Sequence, residues 1–493
     1  MGLKAFFAAA SLLAVALAGV HSNAQSAPSR PFPVSVSAYY RSRVDAWQWF
    51  AAPPQTNTYG YVESLLRLGV AQQINDWDWQ LELSQPAVLG APSDAVSPNS
   101  AQGQLGLGAT YYASNGNNSY PAAAFLKQGF VRYKFAGSNN RLRLGRFEFF
   151  EGQETQPKDE TVAWLQTNRI SQRLIGGFGF SAAQRSLDGI DGHFGNGSWD
   201  LTAMAARADQ GVFNMNGNPE LNVDVQYLAF TKPAFGQHFL WRVFAIGYHD
   251  GRTGITKTDN RPLAVRQADH HNIRVGTYGG DFIATIPAGS GQFDLLGWGV
   301  LQNGAWGELG QSSTAGAIEG GYKLLKLATK PWIRGGYFYG SGDDNPADNQ
   351  HKTFFQVLPT PWLYAHTPFY NLMDNKDGFV HIIDRPTKRL ELRGDIHWLQ
   401  LSSNRDLWYQ GGGAFDNKVF GYIGRPSNGH YSFANVAEIG SVWQATKAVA
   451  VTLYYGHTSG KSVVASIYPE DPDAQFGYAE LVYRWGKAQG QAR

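Results

Sequence analysis

"VSVSAYYRSRVDAW", residues 34–47, alternates apolar and polar side chains with a period of two. Val34, Val36, Ala38, Tyr40, Val44 and Ala46 fall on one face, and Ser35, Ser37, Tyr39, Arg41, Arg43 and Asp45 on the other. Charges confined to one face mark an extended strand lying between an apolar and a wet environment. "WDWQLEL" (77–83) repeats the pattern, with Trp77, Trp79, Leu81 and Leu83 against Asp78, Gln80 and Glu82. "LELRGDIHW" (390–398) sets Leu390, Leu392, Ile396 and Trp398 against Glu391, Arg393, Asp395 and His397. One such strand suits a soluble sandwich as well as a membrane barrel, so the number of strands decides.

The same pattern predicts strands near 34–49, 59–74, 76–86, 122–136, 140–150, 186–195, 198–209, 221–232 and 237–250. It continues at 271–285, 291–305, 312–326, 331–341, 377–386, 388–401, 433–445, 447–459 and 474–485, eighteen in all. Connections alternate. Short ones fall at Asn75, Gly137–Asn139, Asn196–Gly197, Pro233–Gly236, Pro287–Ser290, Thr329, Thr387 and Thr446. Long ones fall at 50–58, 87–121, 151–185, 210–220, 251–270, 306–311, 342–376, 402–432 and 460–473. An even strand count with short turns at one end and long loops at the other predicts an all-β, 18-stranded antiparallel transmembrane β-barrel with periplasmic turns and extracellular loops. The parity requires "RLIGGFGFS" (173–181) to belong to a loop.

Composition agrees. The chain carries 57 Gly, 15 Trp, 24 Tyr and 29 Phe, no cysteine, and a net charge of +2. Aromatics mixed with polar residues suit thin alternating stripes better than one core. The near-neutral charge argues against a nucleic-acid partner. Without disulfides, a closed hydrogen-bonded sheet must hold the exported fold together. Residues 1–24, with Lys4, an apolar run from Ala5 to Val20 and small Ser22 and Ala24, are expected to be a secretory signal peptide. Trp77, Trp79, Trp199, Trp241, Trp332, Trp443 and Trp485 fall near short turns or the C-terminus; Trp47, Trp49, Trp306 and Trp398 fall near long loops. Two such sets are expected of interfacial aromatic belts.

"LRLGRFEFFEG", "QRLIGGFGFSAAQRSLDGI", "GGYFYGSGDDNPADNQHKTFFQVLPTP", "PFYNLMDNKD" and "DLWYQGGGAF…FGYIGRP" together resemble the alginate export family of outer-membrane porins, from about residue 34 to 485. The resemblance implies a monomeric eighteen-stranded barrel in the bacterial outer membrane, with an electropositive lumen. It also implies export of an alginate-like polyuronate, the nearest rival being uptake of small anionic or oligosaccharide solutes. Polymer export would bring periplasmic secretion partners; outer-membrane lipid surrounds either version. No catalysis and no cofactor are expected.

A barrel of this size can hold an aqueous channel, whose selectivity is set by inward side chains and infolded loops. Arg41, Arg43, Arg67, Arg132, Arg393 and Arg484 fall on the inward face, joined by Arg146 if Gly145 carries a bulge. Arginine keeps its charge and pairs bidentately with carboxylates. Asp45, Glu63, Glu82, Asp188, Asp191, Glu391, Asp395 and Glu480 share that face, so pairs that brace the wall compete with contacts to a guest. Loop 151–185 is long enough to enter the lumen. Its "DETVAWLQTNRI" predicts a short helix with Asp159 and Glu160 in the first turn, followed by a glycine-rich apolar run. Arg169, Arg173 and Arg185 would then stand near a constriction.

Asp343, Asp344 and Asp348 form an acidic cluster at the expected extracellular mouth. Calcium could use these oxygens, although the spacing lacks the glycine and terminal glutamate of an EF-hand. A glycosidase pair would need a shaped pocket. The third option is a turn cluster opening a lid over the mouth. Asp269-His270-His271 suggests a metal, yet adjacent residues on extended chain face opposite ways. "GKAQGQAR" (486–493) reads as a short periplasmic tail, whereas such barrels usually end on an aromatic.

Overall fold

The structure is a computed structural model that describes residues 33–361 and 365–486. The expected signal peptide and residues 487–493 of the expected tail lie outside the described residues. The strands in chain order are β1 (Val34–Gln48), β2 (Thr58–Ile74), β3 (Trp77–Leu89), β4 (Phe125–Lys134), β5 (Arg141–Phe147), β6 (Leu187–Gly195) and β7 (Asp200–Asp209). Next come β8 (Glu220–Ala234), β9 (Phe239–Asp250), β10 (Ile273–Ala288), β11 (Gly291–Trp306), β12 (Leu309–Lys323), β13 (Trp332–Gly340) and β14 (Gln350–His351). The last are β15 (Asn375–Thr387), β16 (Leu390–Leu401), β17 (Leu407–Gly411), β18 (Tyr422–Pro426), β19 (Ser432–Gln444), β20 (Val449–Gly460) and β21 (Asp473–Gly486).

Three of these stand apart from the wall: the two-residue β14, which adds in parallel to Gly310 and Gln311 of β12, and the loop hairpin β17–β18. The other eighteen pair antiparallel in chain order, with β13 meeting β15 and β16 meeting β19. β21 pairs back onto β1 from Ser37↔Gly486 to Gln48↔Gln475, closing the cylinder. Closure is what lipid demands, because no water is present there to satisfy an open sheet edge. No helix among the described residues is long and apolar enough to cross a membrane; the strands cross instead.

The alternation in β1 places its faces as expected. Val34, Val36 and Ala46 are exposed outward, whereas Arg41, Arg43 and Asp45 are buried inward. Around the wall Leu301 and Ile439 expose 63% of their surface to the outside, and Arg43, Thr202 and Thr277 none to the inside. All eighteen expected wall strands are present. "RLIGGFGFS" lies in a loop, its only strand-like contact being an isolated bridge between Ile175 and Leu358.

Two connections differ from expectation. Residues 306–311 hold no long loop: β11 turns into β12 through Gly307 and Glu308 alone. Gly307 has φ +64°, and a Cβ there would stand 2.1 Å from Asp269 Oδ2, so the tight turn requires glycine. At the opposite end, residues 324–331 make a longer connection than a hairpin turn.

The tryptophans separate. Trp77, Trp443 and Trp485 are exposed near the short-turn end, as a belt requires. Trp332 is buried inside against Trp164, with ring centroids 4.9 Å apart. Trp47, Trp49 and Trp306 pack under the long loops, leaving Trp398 alone of that set on the outer surface.

Candidate functional site

The lumen is occupied by residues 148–186, the connection between β5 and β6. This segment leaves the long-loop rim and reaches the other end of the barrel, where Asp159 Oδ2 lies 3.1 Å from His238 Nδ1 in the short turn after β8. Asp159 also caps the helix Glu160–Leu165, its Oδ1 accepting from the amides of Thr161 (2.9 Å) and Val162 (3.0 Å). The helix continues as one π-helical stretch, Gln166–Ile170. Val162, Leu165, Ile170, Leu174 and Ile175 are buried against inward apolar residues of the wall, among them Ile283, Leu296, Trp298 and Phe379.

Charges fix the segment by reciprocal pairing. Wall Arg242 meets the segment's Glu151 at 2.6 Å and Glu154 at 3.3 Å, as well as wall Asp281 at 2.6 Å. Wall Glu319 accepts from the segment's Arg169 at 2.9 and 3.1 Å and Arg173 at 3.2 Å, and from wall Arg334 at 2.9 Å. Burial pushes the Glu151 carboxyl above its ordinary range, with Arg242 pulling the other way. A buried ionic network of this kind positions chain strongly, because losing one partner strands the others.

The sequence-predicted arginines divide into three groups. Arg41, Arg43 and Arg67 face inward but hold the segment. Arg41 donates to the carbonyls of Gly179, Phe180 (3.1 Å) and Ser181 (2.6 Å). Arg43 pairs with Asp45 (2.9 Å) and Glu63 (2.5 Å), donates to Phe180 O (2.8 Å) and lies 3.5 Å from the Phe180 ring centroid. Arg67 reaches Glu82 (2.7 Å), Glu148 (2.8 Å) and Gln184 (3.0 Å). Arg169 and Arg173 are buried on Glu319. Arg185 donates only to carbonyls, those of Gly176, Leu358 and Gly412, so it staples three loops together; burial brings its pKa down to about 10.

A second group faces inward and retains surface. Arg132 pairs with Asp78 at 3.0 Å and Arg393 with Asp395 at 2.7 Å, while Arg484 is exposed opposite Tyr39 at the short-turn end. Asp191 faces inward and takes Arg143 at 2.8 Å. Arg141 and Arg143 belong to the same inner face but were missed, although "RLRL" (141–144) carries the period-two signal plainly.

Arg146 and Asp188 are the correction. Arg146 was expected inward if Gly145 carried a bulge, and Asp188 inward together with Asp191, but the β4–β5 and β5–β6 ladders run through Gly145 without a register shift, and Asp188, three residues from Asp191 on β6, has the opposite parity. Arg146 and Asp188 therefore share the outward parity of Leu144 and Ile190, which are exposed, and pair with each other at 2.5 Å near the long-loop rim.

Asp343, Asp344 and Asp348 do not come together as one cation site; Asp344 and Asp348 meet instead at Lys352, 3.4 and 2.7 Å away. Asp343 is buried and accepts from the Asn345 amide; Asp344 is exposed; Asp348 pairs with Lys352 at 2.7 Å. Among the described residues the one set of side chains close enough to share a cation is Asp269, His271 and Glu308, at the Gly307 turn. Its Asp269 is already held by Lys257 (3.2 Å) and Arg261 (3.0 Å), two cations that would repel a metal. The stretch after β13 is the turn cluster that opens a packed lid: the Asp343 amide donates to Asp406, which also accepts from Thr353, Leu407 and Tyr409.

The sequence profile for alginate export matches residues 112–460, which hold fourteen of the eighteen wall strands, β4 to β20. This chain belongs to the alginate export family. Among solved structures, this family member is similar to OccAB2 of Acinetobacter baumannii, with TM-score 0.59 and 9% identity over 92% of this chain and 98% of that one. It is similar to OccK8 (OprE) of Pseudomonas aeruginosa at TM-score 0.53 and 9% identity, over 92% and 98%. The outer membrane protein opdK of P. aeruginosa gives TM-score 0.51 and 6% identity, over 92% and 99%. At such identities these likenesses are of fold. No curated protein sequence matches. Family and barrel together make the chain a channel of the bacterial outer membrane rather than an enzyme.

Proposed function

We propose that this channel is a passive conduit for small anionic or oligosaccharide solutes, and that residues 148–186 set its bore. The observation that carries the reading is the anchoring of this segment through the height of the lumen by buried ion pairs at Arg242 and Glu319. A bore so divided suits solutes that move singly. Arg132, Arg143, Arg393 and Arg484, which keep exposed surface, are the positions we assign to a solute path; Arg43, Arg169, Arg173 and Arg185 act as anchors. A solute that meets several such partly exposed charges in succession is steered without being trapped at any one of them.

Export of an alginate-like polyuronate is the second reading, favoured by family membership. It requires the segment to withdraw so that the arginines it covers become available to carboxylates, and it would bring periplasmic partners. Conductance in planar bilayers separates the two. On the first reading, deleting 159–182 raises single-channel conductance and polyuronate blocks the deleted channel far better than the intact one. Equal block of both by polyuronate would favour the polymer reading, and unchanged conductance after the deletion would refute the role given to the segment.

A further inference from the structure

Above the segment, at the long-loop end, six loops enclose a cavity of about 780 Å³. That volume is within the ~300–1,000 Å³ typical of small-molecule sites. Its lining differs in kind from the lumen beneath. The floor includes Phe178 of the segment, Phe213 and Phe415, locked edge to face with centroids 5.3 and 5.2 Å apart. Gln104, Ser114 and Thr256 bring an amide and hydroxyls to the lining, whereas the Asn115 and Gln410 amides are already held, Asn115 by Tyr111, Phe213 and Met215 and Gln410 by Pro368 and Arg425. Charge is scarce: Asp416 and Lys418 are the charged lining residues, and Asp416 already accepts from Asn214 Nδ2 at 2.9 Å and the Lys418 amide at 2.6 Å. Arg185 is buried outside the lining, its two Nη atoms donating to carbonyls.

Two polar atoms of the lining residues have no partner among the described residues. One is Gln104 Oε1; the other is the hydroxyl of Tyr370, a residue 7% exposed. Both atoms are themselves closed to solvent, so a ligand would meet them only where the side chains over them give way.

We propose that this vestibule is a binding site for an uncharged sugar, a hexose or short neutral oligosaccharide. Such a ring presents C–H faces to phenyl surfaces and hydroxyls to amides around its edge, which is the pairing this lining offers. A polyuronate would bring a carboxylate on every residue to a wall with one lysine. An aromatic acid would satisfy the phenylalanines and offer nothing to the Gln104 amide or the hydroxyls of Ser114 and Thr256. The inference rests on the small-solute reading above and narrows it: the first site met from outside selects by stacking and hydrogen bonds, before any arginine is reached.

The test is calorimetric titration of the detergent-solubilised full-length barrel with maltotriose, trigalacturonate and benzoate. Maltotriose is expected to bind at least tenfold more tightly than either anion. Phe415→Ala is expected to weaken it about tenfold or more, and Thr256→Trp, which fills the cavity, to abolish it, with heat-modifiable gel migration unchanged. Tighter binding of trigalacturonate or benzoate, or maltotriose affinity unaltered in both variants, would overturn the assignment. Binding in micelles needs no conduction, so loss of the channel reading in bilayers and loss of this site are separate results.

Discussion

Glu319 is the residue on which the occupancy of the lumen turns. It projects from β12, is wholly buried, and accepts from three guanidinium groups, two of which come from the infolded segment. Glu319→Gln keeps the shape and replaces one carboxylate oxygen with a donor that faces donors. Wall Arg334 would keep Asp294, 2.9 Å away, so the loss falls on Arg169 and Arg173. Breaking a buried ionic set by removing one partner costs about 3–5 kcal/mol. Full burial means solvent screening gives no discount. At 1.4 kcal/mol per factor of ten, the ratio of docked to undocked segment falls by roughly a hundred- to a few-thousand-fold. The wall does not depend on this contact, since its strands are held by ladders on both sides. Single-channel recording should therefore show the Gln variant visiting a larger conductance level with increased open-state noise, while its gel migration stays that of a folded barrel. A double-mutant cycle with Arg169→Gln should show strong coupling. Conductance and noise indistinguishable from the unsubstituted channel, in a variant that has folded, would refute the anchoring argument.

Two further outcomes follow from other parts of the molecule. Burial lifts the Asp406 carboxyl to about 6, and Asp343 and Asp374 beside it shift the same way. Below about pH 4 the Asp406 carboxyl is protonated whether the lid is packed or open; between ~4 and 6 the packed lid retains a proton that the open lid releases, so packing weakens as pH rises, by at most about 3 kcal/mol above pH 6. Hydrogen exchange of residues 343–356 should accordingly be slower at pH 4.5 than at pH 7.5 after correction for intrinsic rate, and Asp406→Asn should flatten the difference; the opposite slope would contradict the sign. On the outer face, Ile439→Arg, near the middle of β19, should destabilise refolding into lipid vesicles by about 2–4 kcal/mol, with no loss expected if the face pointed to water.

The wall was legible because each strand repeats one local rule, and because even parity forced the ambiguous 173–181 into a loop. Misplacements came where a local rule met a tertiary fact. Arg146 was set inward on the strength of Gly145, whose φ of +129° is accommodated without shifting the register. Trp332 sits at a strand end like the belt tryptophans, yet β13 begins with its inner face, and the segment brings Trp164 to cover it. Nothing in the spacing of residues 148–186 says that Arg169 will meet Glu319, 150 positions away. What was visible there was local: a capped helix followed by a glycine-rich apolar run, enough to expect infolding and too little to name its partners.

An eighteen-stranded cylinder satisfies its backbone whatever fills it, so the wall leaves the interior free to vary. Here the interior is built as a second layer of packing, apolar along the wall from β4 to β15 and ionic at Arg242 and Glu319. Inward arginine therefore cannot be equated with a path for anions. Arg43 lies in the lumen and is fully buried, consumed by Asp45, Glu63 and a backbone carbonyl, whereas Arg484 on the same inner surface is exposed. Whether a charge serves the solute or the fold depends on what the infolded chain places against it. Moving the segment would release wall Arg41 and Arg67 from the contacts they make with it, without changing a single wall residue, so the position of this one loop sets which lumen charges a solute can meet.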